Sequence, residues 1–319
     1  MRAACAEVAM IIAVLMLPGL THGAQPPASA SCSLDVQDTI DLVVGDEVDV
    51  PVEIEGRAGV MGLDLSSPVS WLDEGALAGL GLKLSYVALE SRNGQKALTK
   101  VAGFKSLKVG ESEFGAGSLR ARGTPRRSQS GSERRFGTLG TDFFREVDFE
   151  LDLSRKRLNL FSQDHCAGEA VYWADEWGTA PLMTGPGGTF YFAPDLQGKK
   201  VEATFAPAEP LTQLRTDVAK RLYGVQKSSA EQTTMFFSAS PVSVKAVQVR
   251  LADAAAPPCT VRERGHDGRA AGYEGCADVY PVTLGRDVLS QLRLFFAIKE
   301  KTLYFTPSNA TLSRKMRAQ

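Results

Sequence analysis

Asp64 is the carboxylate best placed to do chemistry in this chain. It closes the apolar run Val60-Met61-Gly62-Leu63 and leads into the turn Leu65-Ser66-Ser67-Pro68. A strand that delivers an acid to the head of a turn fixes a carboxylate where it can act as general acid or base. Two carboxylates held close together cannot both ionise and so share a proton. A counterpart position exists 142 residues downstream, because Gly56, Leu63 and Leu72 fall on Gly198, Phe205 and Leu214. There Asp64-Leu65-Ser66 falls on Ala206-Pro207-Ala208, and no acid is supplied.

The elements that must position these two sites are duplicated as well. Leu139-Gly140-Thr141-Asp142-Phe143-Phe144 returns 145 residues later as Leu284-Gly285-Arg286-Asp287-Val288-Leu289. The register continues without a gap, with Val147 on Leu292, Leu151 on Phe296, Lys156 on Lys301 and Leu160 on Phe305. Apolar positions matched over such a length imply two copies of one structural unit. Val48, Val50, Val52 and Ile54 alternate with polar residues as half-buried strands do, and Glu55-Gly56-Arg57 reads as the turn between them. The apolar spacing over residues 71–82 predicts a short helix ending near Gly81, and a second is expected over 216–222. Each copy closes with a helical turn and a hairpin, the first turning at Ser154-Arg155-Lys156.

With these segments in view, the chain resembles the aspartic proteases of the pepsin and retropepsin type. In that family a strand ends in Asp-Thr/Ser-Gly, and a later Leu-Gly-x-Asp-Phe-Leu segment begins the last helix of each lobe. The resemblance covers residues 48 to about 307. It implies a mainly β, bilobal pepsin-like acid-protease fold, with two pseudo-twofold-related β-barrel lobes and a few short helices. It also implies that Asp64 stands at the catalytic position. The bracing hydroxyl of the family is replaced by Leu65 and the glycine by Ser66, while Ala206, Pro207 and Ala208 replace the whole second motif. Glu209 is expected to point elsewhere, and Asp195 and Asp217 to lie on a turn and at a helix start. Losing a positioned acid or base costs about 10²–10⁴ in rate, and losing half of a proton-sharing pair should cost more. The expectation is an aspartic-protease-like protein without useful peptidase activity, its interlobe cleft retained for a peptide or protein. The alternative is an endopeptidase that uses Asp64 as the surviving carboxylate. Asp64 also has a plainer role open to it, accepting backbone hydrogen bonds in a turn, and that role is preferred.

The compartment follows from the first residues. Arg2 precedes an apolar run from Val8 to Leu17 and then small residues to Ala24, the pattern of a secretory signal and too short to span a bilayer. The expected organisation is a signal peptide (1–24), an N-terminal linker (25–38), a first lobe (39–166), an interlobe linker (167–188), a second lobe (189–308) and a basic tail (309–319). Export is expected to the periplasm or the extracellular space. Four cysteines then remain, Cys32, Cys166, Cys259 and Cys276, and an even count in an exported chain favours two disulfides. Of three pairings, one bridge per copy (Cys32 with Cys166, Cys259 with Cys276) is the simplest, with free thiols or a cross-lobe bridge as alternatives. No pair has zinc-ligand spacing, so no metal is expected, and no cofactor either.

The remaining candidates are weaker. His165 and His266 have no partner at ligand spacing and are expected at the surface. Ser66, Ser67 and Ser70 lack a nucleophile frame and read as turn formers. Arg120, Arg122, Arg126, Arg127, Arg134 and Arg135 crowd one stretch, read as a solvated loop or a docking patch for an anionic surface. A net charge of −1 and the lack of interleaved aromatics argue against nucleic acid. Tyr172, Trp173 and Trp177 could line a groove or seal the seam between lobes. No later stretch approaches transmembrane length.

Overall fold

The first copy opens with β1 (Val36–Asp41), β2 (Val43–Val44) and the hairpin of β3 (Val48–Ile54) and β4 (Arg57–Leu63). In β3 the four alternating apolar residues are buried and the polar ones are not, as a period of two requires. In the two-residue connection to β4, Glu55 and Gly56 both have positive φ (52° and 72°), which matches the twist of paired strands. There follow β5 (Trp71–Asp73), α1 (Glu74–Leu80), and the hairpin β6 (Leu84–Glu90) with β7 (Lys96–Phe104). Next come β8 (Leu107–Val109), β9 (Ser112–Phe114), β10 (Gly117–Arg122) and β11 (Arg135–Leu139). A 3-10 turn over Thr141–Phe144 leads to the closing hairpin, β12 (Asp148–Asp152) and β13 (Arg157–Phe161). This computed structural model describes residues 33–90, 96–123, 134–185, 187–225, 232–239, 242–252 and 280–311.

The second half follows a similar plan. The intervening stretch holds β14 (Gly178–Pro181) and β15 (Met183–Thr184), followed by β16 (Phe190–Phe192), β17 (Asp195–Leu196), β18 (Lys199–Lys200) and β19 (Ala203–Phe205). After β20 (Gln213–Arg215) come α2 (Thr216–Tyr223), β21 (Gln232–Ala239), β22 (Val242–Ala252) and β23 (Val282–Leu284). The chain closes with α3 (Arg286–Leu289), β24 (Leu292–Ala297) and β25 (Thr302–Pro307). Backbone signs repeat with the sequence: Gln197 and Gly198 take the positive φ of Glu55 and Gly56, and Lys301 that of Lys156.

The two halves have matching strand pairings. In the first lobe β11 lies between parallel β4 and antiparallel β5; in the second, β23 lies between parallel β19 and antiparallel β20. Equivalent residues carry the pairing, Leu139 with Leu63 and Leu284 with Phe205. A third sheet, ordered β1-β13-β12-β24-β25-β14, joins the halves. At its centre Phe149 pairs with Phe296, Glu150 with Phe295, and Leu151 with Leu294. Glu150 and Phe295 are themselves equivalent by the 145-residue repeat, so the pseudo-twofold axis passes between them. The fold is the bilobal pepsin-like β architecture expected from the sequence.

Packing seals this join on both faces. On one, Phe149 stacks on Phe296 at 4.3 Å and Phe205 meets Phe296 edge-on at 4.9 Å; such pairs add about 0.5–1.5 kcal/mol each beyond burial. On the other, Phe161, Phe295 and Tyr304 are covered by Ala170, Trp173 and Ala174. The Arg293 guanidinium lies 4.1 Å from the Trp173 ring and donates to Glu150 at 2.7 Å. Trp173 and the partly exposed Tyr172 thus seal the seam, while Trp177 stays partly exposed. Two expectations need correction. The helix predicted over 71–82 starts only at Glu74, because β10 and β11 capture Trp71–Asp73 as a strand. The Gly- and Pro-rich stretch 167–188 contributes an edge strand, β14, with Pro181 at its end where no donor is needed.

Candidate functional site

Both central loops hang on one backbone framework. Asp64 N–H donates to the Leu139 carbonyl at 3.0 Å, and Ala206 N–H donates to that of Leu284 at 2.9 Å. Ser67 N–H then donates to the Asp64 carbonyl, as Glu209 N–H does to that of Ala206. Thr141 N–H reaches the Ser67 carbonyl, and Arg286 N–H reaches that of Glu209. Position by position, Ala206 occupies the place of Asp64.

The repeated Leu-Gly-x-Asp segments build this framework. Asp142 accepts hydrogen bonds from the Ser70 N–H (2.9 Å) and hydroxyl (2.6 Å), and the Ser70 hydroxyl accepts from Gly140 N–H at 2.9 Å. Asp287 accepts from the Thr212 N–H and hydroxyl, both at 2.8 Å, and Thr212 accepts from Gly285 N–H at 3.0 Å. Burial pushes the Asp287 carboxyl above the usual range, against the pull of the Thr212 bonds. The glycines permit close approach: a Cβ on Gly140 would stand 2.5 Å from the Val69 carbonyl carbon, and one on Gly285 2.4 Å from that of Leu211. These clamps were legible only as a repeat; the role of Ser70 and Thr212 as their targets was not anticipated.

The side chains at the centre differ. Asp64 is half-buried, and its Oδ1 accepts both the Ser66 N–H (2.9 Å) and the Ser66 hydroxyl (2.6 Å), a closed local turn. Leu65 is fully buried and has no hydroxyl to reach across the axis. Ala206 is 2% exposed, Pro207 is buried and Ala208 half-buried. The neighbouring acids are used locally. Glu209 accepts from the Gln213 amide at 3.0 Å, Asp195 caps the turn at Gly198, and Asp217 pairs with Arg215 at the head of α2. Ser67 donates to the Val69 carbonyl, as a turn former does.

Several basic residues are likewise engaged. Arg120 and Arg122 flank the Trp71 ring at 5.7 and 5.9 Å, and Arg122 also donates to Thr138 at 2.8 Å. Arg135 pairs with Glu47 and, at 3.0 Å, with Asp49. Burial raises the Asp73 carboxyl, opposed by the nearby Arg122 and Arg135 charges. Arg126 and Arg127 lie outside the described residues, as do residues 1–32, Cys259, His266, Cys276 and residues 312–319. Cys166 is disulfide-bonded. His165 departs from expectation: its side chain is 2% exposed, enclosed by Asp148 and Glu300.

Among the described residues no cluster of His, Cys, Asp or Glu is placed to hold a metal, and no helix is long and apolar enough to cross a membrane. No known protein family matches the sequence, and no curated protein does. Solved structures similar to the chain include basic 7S globulin from soybean, with 12% identity, a TM-score of 0.46, and 88% of this chain and 96% of that one covered. Another is conglutin gamma, a unique basic 7S globulin from lupine seeds, with 10% identity, a TM-score of 0.47 and the same coverage.

Proposed function

We propose that this chain is an exported aspartic-protease-like protein that does not hydrolyse peptides, its cleft between the lobes serving to bind a peptide or protein. The observation that carries the reading is Ala206 in the hydrogen-bonded position equivalent to Asp64. With no carboxylate at that equivalent position, Asp64 lacks the partner with which a proton would be shared across the axis, and water activation by such a pair has no basis. The closed turn with Ser66 gives Asp64 a structural use instead. Export rests on the apolar run from Val8 to Leu17 behind Arg2. An anionic surface at the 120–135 stretch is the less favoured contact, since Arg120, Arg122 and Arg135 are already taken up by Trp71, Thr138, Glu47 and Asp49.

The test is cleavage of an unfolded protein and of a quenched peptide library between about pH 3 and 7, where a carboxylate pair would share its proton. No turnover is expected from either the native chain or Asp64→Asn. Turnover by the native chain that Asp64→Asn abolishes would establish the endopeptidase instead. Saturable binding of an uncleaved peptide, with no catalysis, is the result the proposal expects for the cleft.

A further inference from the structure

A buried acid–imidazole–acid cluster lies apart from the central loops. His165 Nε2 is 2.6 Å from Asp148 Oδ2, while Nδ1 is 3.1 Å from the Cys166 carbonyl oxygen and 3.3 Å from Glu300 Oε1. The Asp148 side chain is fully buried and that of Glu300 14% exposed. Asp148 opens β12 of the first copy, His165 follows β13, and Glu300 sits in the turn between β24 and β25 of the second. The remaining contacts tighten the join. Asp148 Oδ1 accepts from Ile298 N–H at 2.8 Å. Tyr304 donates to Glu300 Oε2 at 2.7 Å and accepts from Gly168 N–H at 3.0 Å. Lys299, on the same turn, reaches outward to the Gln163 carbonyl and Asp164, and Phe295 presents its ring edge-on to the imidazole at 5.8 Å.

Every one of these atoms facing a ring nitrogen is an acceptor. A neutral imidazole has a single N–H, which would leave a lone pair against Asp148 on one side or against Cys166 and Glu300 on the other. Glu300 Oε1 is buried and takes no hydrogen bond from any other described group. The pattern closes only with one further proton in the cluster. Either the ring carries both, or Asp148 carries one and donates it to Nε2; the count is the same. Burial opposes a charge on His165, but the Asp148 bond, the Cys166 carbonyl and the Asp148 and Glu300 charges outweigh it, raising the ring above its ordinary value of 6.5. Burial likewise raises Asp148.

We propose that Asp148, His165 and Glu300 form a proton-held clasp between the two copies, closed while the proton is held and released as pH rises. Loss of the proton leaves the ring a single N–H, so its lone pair faces either Asp148 or the Cys166 carbonyl and Glu300, freeing the β24–β25 turn and the segment leading to Cys166. A group whose folded value is raised stabilises fully below its unfolded value and loses that contribution as pH climbs through the folded one. For His165 the window opens near 6.5 and runs upward.

Denaturant unfolding of the full chain at a series of pH values from about 5 to 9 tests this, since each unit of displacement is about a tenfold change in the folding equilibrium. The native unfolding constant is expected to rise across the window, and His165→Gln is expected to lack that step. Superimposable pH profiles would overturn the clasp. Glu300→Gln keeps the Asp148 bond and guards against a misfolded first variant. By NMR, one imidazole of the native chain should titrate above about 6.5 and shift downward in Glu300→Gln. If none titrates above that value, or none shifts, the clasp does not exist.

Discussion

The loops at Asp64 and at Ala206 have the same backbone hydrogen bonds and opposite chemistry. Both are suspended from a Leu carbonyl, clamped by an Asp on a Ser or Thr, and closed against a glycine that admits no Cβ. One displays a carboxylate and the other a methyl group. The difference teaches that the scaffold of an acid–base site is built by residues that never touch a substrate. The carboxylate can be removed from such a loop while its backbone geometry stays.

Substitutions that make the loops alike, or unlike, test this in order of size. Ala206→Asp would place a carboxylate at a site 2% exposed and should cost about 3 kcal/mol or more at neutral pH, where desolvation penalises the charge. Part of that loss should return in acid, measured by urea unfolding at both pH values. Peptidase activity is not expected to appear, since Leu65 and Pro207 still lack the bracing hydroxyls. Gly140→Ala and Gly285→Ala should each cost about 1–3 kcal/mol through overpacking against backbone, with similar midpoint shifts in the two lobes. A large inequality would show that the clamps are not equivalent. Asp142→Ala and Asp287→Ala should each lose about 1–3 kcal/mol, since each strands a Ser or Thr hydroxyl and an N–H. Ser66→Ala removes only one of two bonds to Asp64 and should cost about 0.5–1 kcal/mol, with no effect on the Ala206 loop.

Legibility in the sequence followed locality. The paired halves, the Glu55-Gly56 turn and the end of α1 at Gly81 were readable, because each depends on residues near in sequence or on a register repeated whole. Trp71–Asp73 was not, since its apolar spacing suits a helix and only pairing with β10 and β11 makes it a strand. β14 was hidden for a related reason: composition marks a linker, but an edge strand tolerates Gly178 and Pro181. His165 misled most. Its partners are 17 and 135 residues away, and no local signal announces a histidine that two distant carboxylates enclose. Of the central site, the acid and its missing twin were visible. The engagement of Arg120, Arg122 and Arg135 was not.

The meeting of Glu150 with Phe295 on the axis has a consequence for half of this protein. In a symmetric dimer of identical chains, whatever stands on the dyad must tolerate its own image. A first lobe alone would set Glu150 against Glu150 in the middle of a sheet, with Arg293 gone, and two facing anions would hold the halves apart. Fusion into one polypeptide lifts that constraint, letting one half keep an acid and the other an aromatic ring, so an isolated first lobe should remain unpaired rather than rebuild the whole.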